Sequence, residues 1–335
     1  MKALISIMMT VLSALPALAD APQVQIANDV LKMSVYLPDA AHGFYRGTRF
    51  DWSGVVGDLE YAGHRFYGPW FTKTDPEVSD FVYRGDDIVA GPCSAITGPV
   101  EEFGVLGYEE AKAGGTFLKI GVGILRKPDD TPYTQYRLYE IVNGGKWSVA
   151  KSAHGVEFTQ ELHDPASGFG YVYKKTISLA GGKPEYTIAH SLKNTGTRPI
   201  HTTVFDHNFL VLDKQPTGPS FGITLPFDLT VSPEPHKELA EIEKNKIAYR
   251  KVLTGKDTVY FTIQGFGTSS SDYKIHLENT EAKAGMTITG DRPLAKMSLW
   301  SIRSVISVEP FIDVSLESGN ESTWKNDYVF YQLPH

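Results

Sequence analysis

Short alternating runs broken by turn residues make up most of this sequence, and no other feature restricts the fold as much. Residues 172–179 and 186–193 flank Ala180-Gly181-Gly182-Lys183, a strong hairpin signal. Stretches 30–37, 259–264, 273–277, 286–289, 297–303, 305–316 and 328–333 read as further strands, and 199–212 is one long extended run. Glycines and aromatic residues crowd 44–70, which predicts strand-turn-strand with the turn at 61–65. Only 235–246 (PHKELAEIEKNK) carries a helical pattern, charged and expected to be exposed. Strands without long helices between them predict a mostly antiparallel all-β sandwich rather than βαβ units. The 335 residues suit one large all-β domain, expected over 20–335.

Charge and the N-terminus bear on partners and location. Lys and Arg total 32 against 39 Asp and Glu, a net charge of -7, with no basic run. That balance makes a poor candidate for phosphate-backbone binding, so no nucleic-acid partner is expected. Residues 1–19 read as a signal peptide. Met1-Lys2 is followed by an apolar stretch over 3–15, then by Pro16-Ala17-Leu18-Ala19. Cleavage is expected after Ala19, with export to a bacterial periplasm. No other stretch approaches the length of a membrane span. Cys93 is the single cysteine, so no internal disulfide is possible, and it reads as a small buried residue.

Absent motifs narrow the chemistry. No Walker loop, G-x-S-x-G elbow or H-E-x-x-H occurs. Gly121-Val122-Gly123 lacks the rest of a dinucleotide fingerprint and reads as a strand packed close to its neighbour. Two segments remain informative. In 194–209 (NTGTRPIHTTVFDHNF), His201, Thr203, Phe205 and His207 share one face of an extended chain. Six residues of strand set His201 and His207 roughly 20 Å apart, so they cannot share a metal ion. In 305–316 (VISVEPFIDVSL), one face is wholly apolar, and Ser307, Glu309, Phe311, Asp313 and Ser315 form the other. A carboxylate beside aromatic rings has its pKa raised by desolvation and then suits general-base work near neutrality. The commoner alternatives are a His207 bonded to backbone and a Glu309 on a solvated sheet face.

These residues carry a resemblance. Asn194-Thr195-Gly196, Pro199 and Asp206-His207-Asn208-Phe209 resemble the "N-x-G … H-x-Y-F" segment of the aldose 1-epimerases, or mutarotases. Val308-Glu309-Pro310-Phe311 resembles their "E-P" segment, about 100 residues further on. Gly319 to Trp324 with Tyr328 to Tyr331 is similar to the ending of the hexose-phosphate branch. The resemblance implies a galactose-mutarotase-like β-supersandwich with a sugar-binding concave face and no cofactor. It also implies roles. His207 would be the acid protonating the ring oxygen of a sugar, and Glu309 the base taking the proton of the anomeric hydroxyl.

Other residues complete the expected site. Arg49 and Arg46, in 43–52 (GFYRGTRFDW), could bond sugar hydroxyls or anionic groups, with Asp51 the competing surface partner. Asp206, beside His207, is a further candidate contact. Trp70 and Trp300 are candidate sugar platforms, although large rings in a sandwich are more often core. Two departures from the family stand out: Asn208 replaces a proline, and residues 101–107 lack the family's second histidine. The resemblance implies a small sugar or a glycan as the partner, and two classes stay open. One is an exported anomer-interconverting enzyme. The other is a non-catalytic periplasmic carbohydrate-binding protein. A polysaccharide-processing enzyme would need a second carboxylate, with Asp206 or Asp313 beside Glu309. An acid–base pair should face one cavity across a gap that fits a sugar ring.

Overall fold

The computed structural model describes residues 21–334. The expected signal peptide and its cleavage site lie outside the described residues. Among those described, regular helix is limited to two three-residue 3-10 turns, Leu212–Lys214 and Ser270–Asp272. No helix there is long and apolar enough to cross a membrane.

Two antiparallel sheets carry the architecture. The larger has ten strands, with Phe169–Leu179, Glu185–Asn194, Glu321–Gln332 and Ala284–Gly290 adjacent at its centre. The second has six, in the order Thr230–Ser232, Thr258–Gln264, Lys296–Ile302, Val305–Leu316, Ile200–Phe209 and Gly98–Phe103. The expected hairpin forms, with Ile177 opposite Ile188. Alternate residues of its second strand (Tyr186, Ile188, His190 and Leu192) are buried between the sheets, as a two-residue period requires. Fully burying a large side chain of this kind is worth about 1.5–3 kcal/mol, so rows of them dominate the cohesion of the two sheets.

The same interior holds an ionic group that ties one sheet to the other. Glu101, on the six-stranded sheet, contacts the Lys175 ammonium and lies 2.8 Å from His190 Nε2, both on the ten-stranded sheet. Lys175 also donates to the Ser53 carbonyl at 2.9 Å, and Tyr173 donates to Asp51 at 2.9 Å. Burial alone would raise the Glu101 pKa. The Lys175 ammonium and the His190 bond outweigh it and hold the carboxyl at about 2. Asp51, whose burial is less well offset by Lys175, is pushed up to about 7.

Three expectations are corrected. Residues 235–246 form no helix: Ala240–Glu243 pairs with Lys246–Tyr249 as a hairpin. Leu239, Ala240, Ile247 and Tyr249 are buried in the core, and packing of these residues outweighs the propensity of the lysines and glutamates. Residues 44–54 form no strand. They wrap over the sheet as a loop that buries Arg49, Phe50, Asp51 and Trp52. Gly121 sits in a turn between Thr116–Lys119 and Gly123–Arg126 rather than in a strand. Its φ is +78°, and a Cβ there would lie 2.6 Å from Asp51 Oδ1, so only glycine fits.

The two faces of the Ile200–Phe209 strand decide where chemistry can occur. Asp206 and Asn208 point between the sheets, where Asn208 accepts from Tyr328 at 3.0 Å. His207 and Phe209 point the other way. They meet a second apolar cluster that includes Phe50, Trp70 and Trp300.

Candidate active site

Strand register sets three rows across the outer face of the six-stranded sheet. Phe205 lies opposite Phe311, and Phe311 opposite Lys296. Two residues along, Glu309 lies opposite Ser298, and two further, Ser307 lies opposite Trp300, which in turn pairs with Tyr260. The bridge between Leu210 and Ile306 keeps the same register, which brings His207 opposite Glu309. A polar row thus runs between two rows rich in aromatic rings. Loops roof it into a cavity of about 520 Å³, within the usual range for small-molecule sites.

His207 and Glu309 touch. Nε2 lies 3.1 Å from Glu309 Oε1, and Nδ1 lies 2.6 Å from the Ser307 hydroxyl. The imidazole stacks on Phe209 with 3.7 Å between ring centroids and takes the edges of Phe50 and Trp300. Both residues are buried, His207 at 4% exposure and Glu309 at 8%. Burial, helped by the Arg49 guanidinium, pushes the imidazole pKa well below its usual value. Burial pushes Glu309 up to about 7, against the pull of Arg49. Below neutrality the carboxyl therefore keeps its proton against Nε2 and the pair is uncharged; that proton is lost as pH rises through about 7. While Glu309 holds its proton, Nδ1–H donates to the Ser307 hydroxyl; once Glu309 ionises and Nε2 carries the ring proton, the hydroxyl donates to bare Nδ1 instead.

The expected gap between acid and base is corrected: no sugar ring fits between groups 3.1 Å apart. The requirement itself was too strict. The ring oxygen and the anomeric hydroxyl of a pyranose sit on one carbon, so an adjacent pair reaches both from one side.

Arg49 comes from the loop above. Its Nε donates to Glu102 at 2.7 Å, and Lys119 donates to the other oxygen of Glu102 at 3.3 Å. The guanidinium lies over Phe50 and Tyr136, and neither Nη has a hydrogen-bond partner among the described residues. Those Nη groups belong to a residue that lines the cavity. Tyr136 and Gln135 belong to the 127–140 loop. That loop is pinned by Tyr133 stacked on Tyr139 and by Lys119 donating to Tyr133 at 2.9 Å. Asp80 completes this wall, bonded by the Ser94 hydroxyl and raised in pKa by burial.

Of the residues expected from sequence, His207, Glu309, Arg49, Trp70 and Trp300 line this one cavity. Trp70 is also a core ring, since its indole donates to the Ile96 carbonyl at 3.0 Å. Two expectations are corrected. Arg46 is at the surface, donating to the Ala41 carbonyl at 2.9 Å, because its own loop turns it outward. Asp206 occupies the opposite face from His207, as adjacent residues of a strand must. It accepts from Tyr273 at 3.1 Å and from Asn326, and burial raises it to about 8. His201 stands at the exposed end of the strand against Ser315. Among the described residues no group of three or more His, Cys, Asp or Glu is placed to hold a metal ion. Sequence reasoning missed Ser307, although its place two residues before Glu309 on the same face was a usable signal. It also missed Glu102, Lys119, Asp80, Gln135 and Tyr136, whose approach depends on loop paths.

An all-β supersandwich defines the class of fold, with His207 and Glu309 in contact on the outer face of one sheet. No protein-family model matches the sequence, and no curated protein matches it. Solved structures do match. The aldose epimerase homologue from C. elegans is 14% identical with a TM-score of 0.54, covering 94% of this chain and 100% of its own. A galactose mutarotase-like protein from Clostridium acetobutylicum is 10% identical with a TM-score of 0.53, covering 95% and 97%. Another from Lactobacillus casei is 12% identical with a TM-score of 0.51, covering 92% and 100%. The chain has the galactose mutarotase-like fold.

Proposed function

We propose that the protein interconverts sugar anomers as an aldose 1-epimerase-like enzyme. The observation that carries this reading is the buried contact of His207 with Glu309 on the wall of a sugar-sized cavity. Ring opening needs one proton delivered to the ring oxygen and one taken from the anomeric hydroxyl. The pair holds one proton at rest and can do both. Burial favours placing that proton on Glu309, so Glu309 donates to the ring oxygen while His207 accepts from the hydroxyl. The resemblance assigns the opposite roles. Either way the ring opens, C1–C2 rotates, and closure returns both protons. Arg49 offers its free Nη edge to neighbouring hydroxyls. Polarimetry of freshly dissolved α-glucose, α-galactose and α-galacturonate tests the reading, and equilibration at the uncatalysed rate for all three sugars counts against it.

Carbohydrate binding without turnover is the second reading. One observation favours it: His207 and Glu309 already satisfy each other, as structural partners would. Hydrolysis of a polysaccharide through the second carboxylates expected from sequence fits less well. Asp206 is on the wrong face, and Asp313 lies four residues along the strand from Glu309, roughly 13 Å away. That is beyond the ~5–9.5 Å that paired glycosidase carboxylates span. We further propose export to a bacterial periplasm, on the strength of residues 1–19; cell fractionation would test this.

A further inference from the structure

We propose that the substrate is a sugar acid, a uronate whose carboxylate pairs with Lys296 while its anomeric carbon meets His207 and Glu309. This rests on the reading just given and names its substrate class. Lys296 lines the cavity beside Glu309's row, and its ammonium lies over the Phe311 ring, 4.8 Å from the centroid. It is exposed and forms no ion pair with any described carboxylate, whereas Lys119, the other ammonium near this wall, is committed to Glu102. The ring contact holds the stem against the wall and leaves the charge without a counterion.

Register supplies the spacing. Lys296 is two residues from Ser298, the partner of Glu309, and so one pleat repeat, roughly 7 Å, from the acid–base row. In a pyranuronate the carboxylate is carried on C5, which adjoins the ring oxygen on the side away from C1. A sugar with its ring oxygen and anomeric hydroxyl on His207 and Glu309 thus extends its carboxylate along the strand towards Lys296. Burial falls in that same direction: His207 and Glu309 are buried, Phe205 and Phe311 half-buried, and Thr203 and Asp313 exposed. The charged end of the sugar then sits at the wetter mouth and the reacting end in the dry interior, where proton transfer is least disturbed by water. Charge balance points the same way. With Glu309 holding its proton and Glu102 shared between Arg49 and Lys119, the three cations Arg49, Lys119 and Lys296 outnumber Glu102 and Asp80 by one, and a carboxylate restores balance.

Calorimetric titration of the Glu309→Gln protein, which keeps the pair uncharged, tests this without turnover. The probes are D-galacturonate, its methyl ester, D-galactose and galactose 6-phosphate, at low and high salt. The acid is expected to bind roughly two- to fivefold tighter than the ester, the range for a solvent-exposed ion pair, with the preference shrinking in salt. Lys296→Met on the same background should reduce the acid-to-ester ratio to about one. Equal binding of acid and ester, or a preference that survives Lys296→Met, overturns the proposal. A Lys296-dependent preference for the phosphate over the uronate overturns the carboxylate assignment. Failure of the epimerase reading is separately visible: selective binding here with no anomer equilibration by wild type refutes turnover alone. Equilibration of neutral sugars with no charge preference refutes this proposal alone.

Discussion

Glu309→Gln should stabilise the protein, increasingly so as pH rises from about 4.5 to 7. In the folded chain burial lifts the Glu309 carboxyl from 4.5 to about 7. Its folded pKa is thus above the unfolded one. The contribution is fully present below the unfolded value, where both states are protonated, and is lost as pH rises towards the folded value. At each pH between the two, unfolding releases a proton that the folded state retains. At 1.36 kcal/mol per unit, a rise of this size corresponds to roughly 3 kcal/mol, reached near pH 7 and constant above it. Glutamine has nearly the same shape, keeps a bond to His207 and cannot ionise, so it removes the pH-dependent term. Urea unfolding of wild type and variant at pH 4.5, 6, 7 and 8 isolates the difference, since all other groups are common to both. The expected gap is small at the lowest pH and reaches a few kcal/mol at the highest. A gap independent of pH, or one that grows towards acid, would show that Glu309 is not held protonated by its surroundings.

Three further outcomes follow from the same geometry. Anomer equilibration should be steady just below pH 7 and fall above it, because the shared proton leaves a carboxyl held near 7; the acid limb should lie well below the usual histidine range. A rate that climbs through pH 7 would instead indicate an ionised Glu309 acting alone. Ser307→Ala should cut kcat roughly tenfold or more with little change in KM and shift the pH profile, because Nδ1 loses the Ser307 hydroxyl, while Ser307→Thr restores part of the rate. A loss in KM alone would make Ser307 merely structural. Lys175→Met should cost roughly 3–5 kcal/mol in chemical denaturation by leaving Glu101 buried and uncompensated, and adding Glu101→Gln should recover much of it. An equal loss in the single and double variants would refute the ion-pair account.

Most strands could be read from the sequence because alternation is a local property. The Val305–Leu316 strand places Glu309 on the face away from its apolar side, and the parity of 194–209 puts His207 there too. What local pattern could not supply was the partner of each face. Parity alone separated Asp206 from His207, yet their adjacency in the motif suggested a shared site. The interior carboxylate site of Asp206 became visible only once Tyr273 and Asn326 were seen against it. Arg49 and Arg46 looked equivalent in sequence, and only the path of their loop buries one and exposes the other. The 235–246 segment reads as helix by composition, but its apolar residues fill the core as a hairpin. The buried group of Glu101, Lys175 and His190 joins residues far apart in the chain, so no spacing could announce it.

Polarimetry of α-glucose, α-galactose and α-galacturonate with wild type, His207→Ala and Glu309→Gln side by side tests the central claim most directly. Wild type is expected to accelerate equilibration of at least one of these sugars, and both variants to lose the acceleration while remaining folded. Acceleration that survives either substitution would contradict the assignment of the pair, and no acceleration of any of the three would contradict the enzymatic reading.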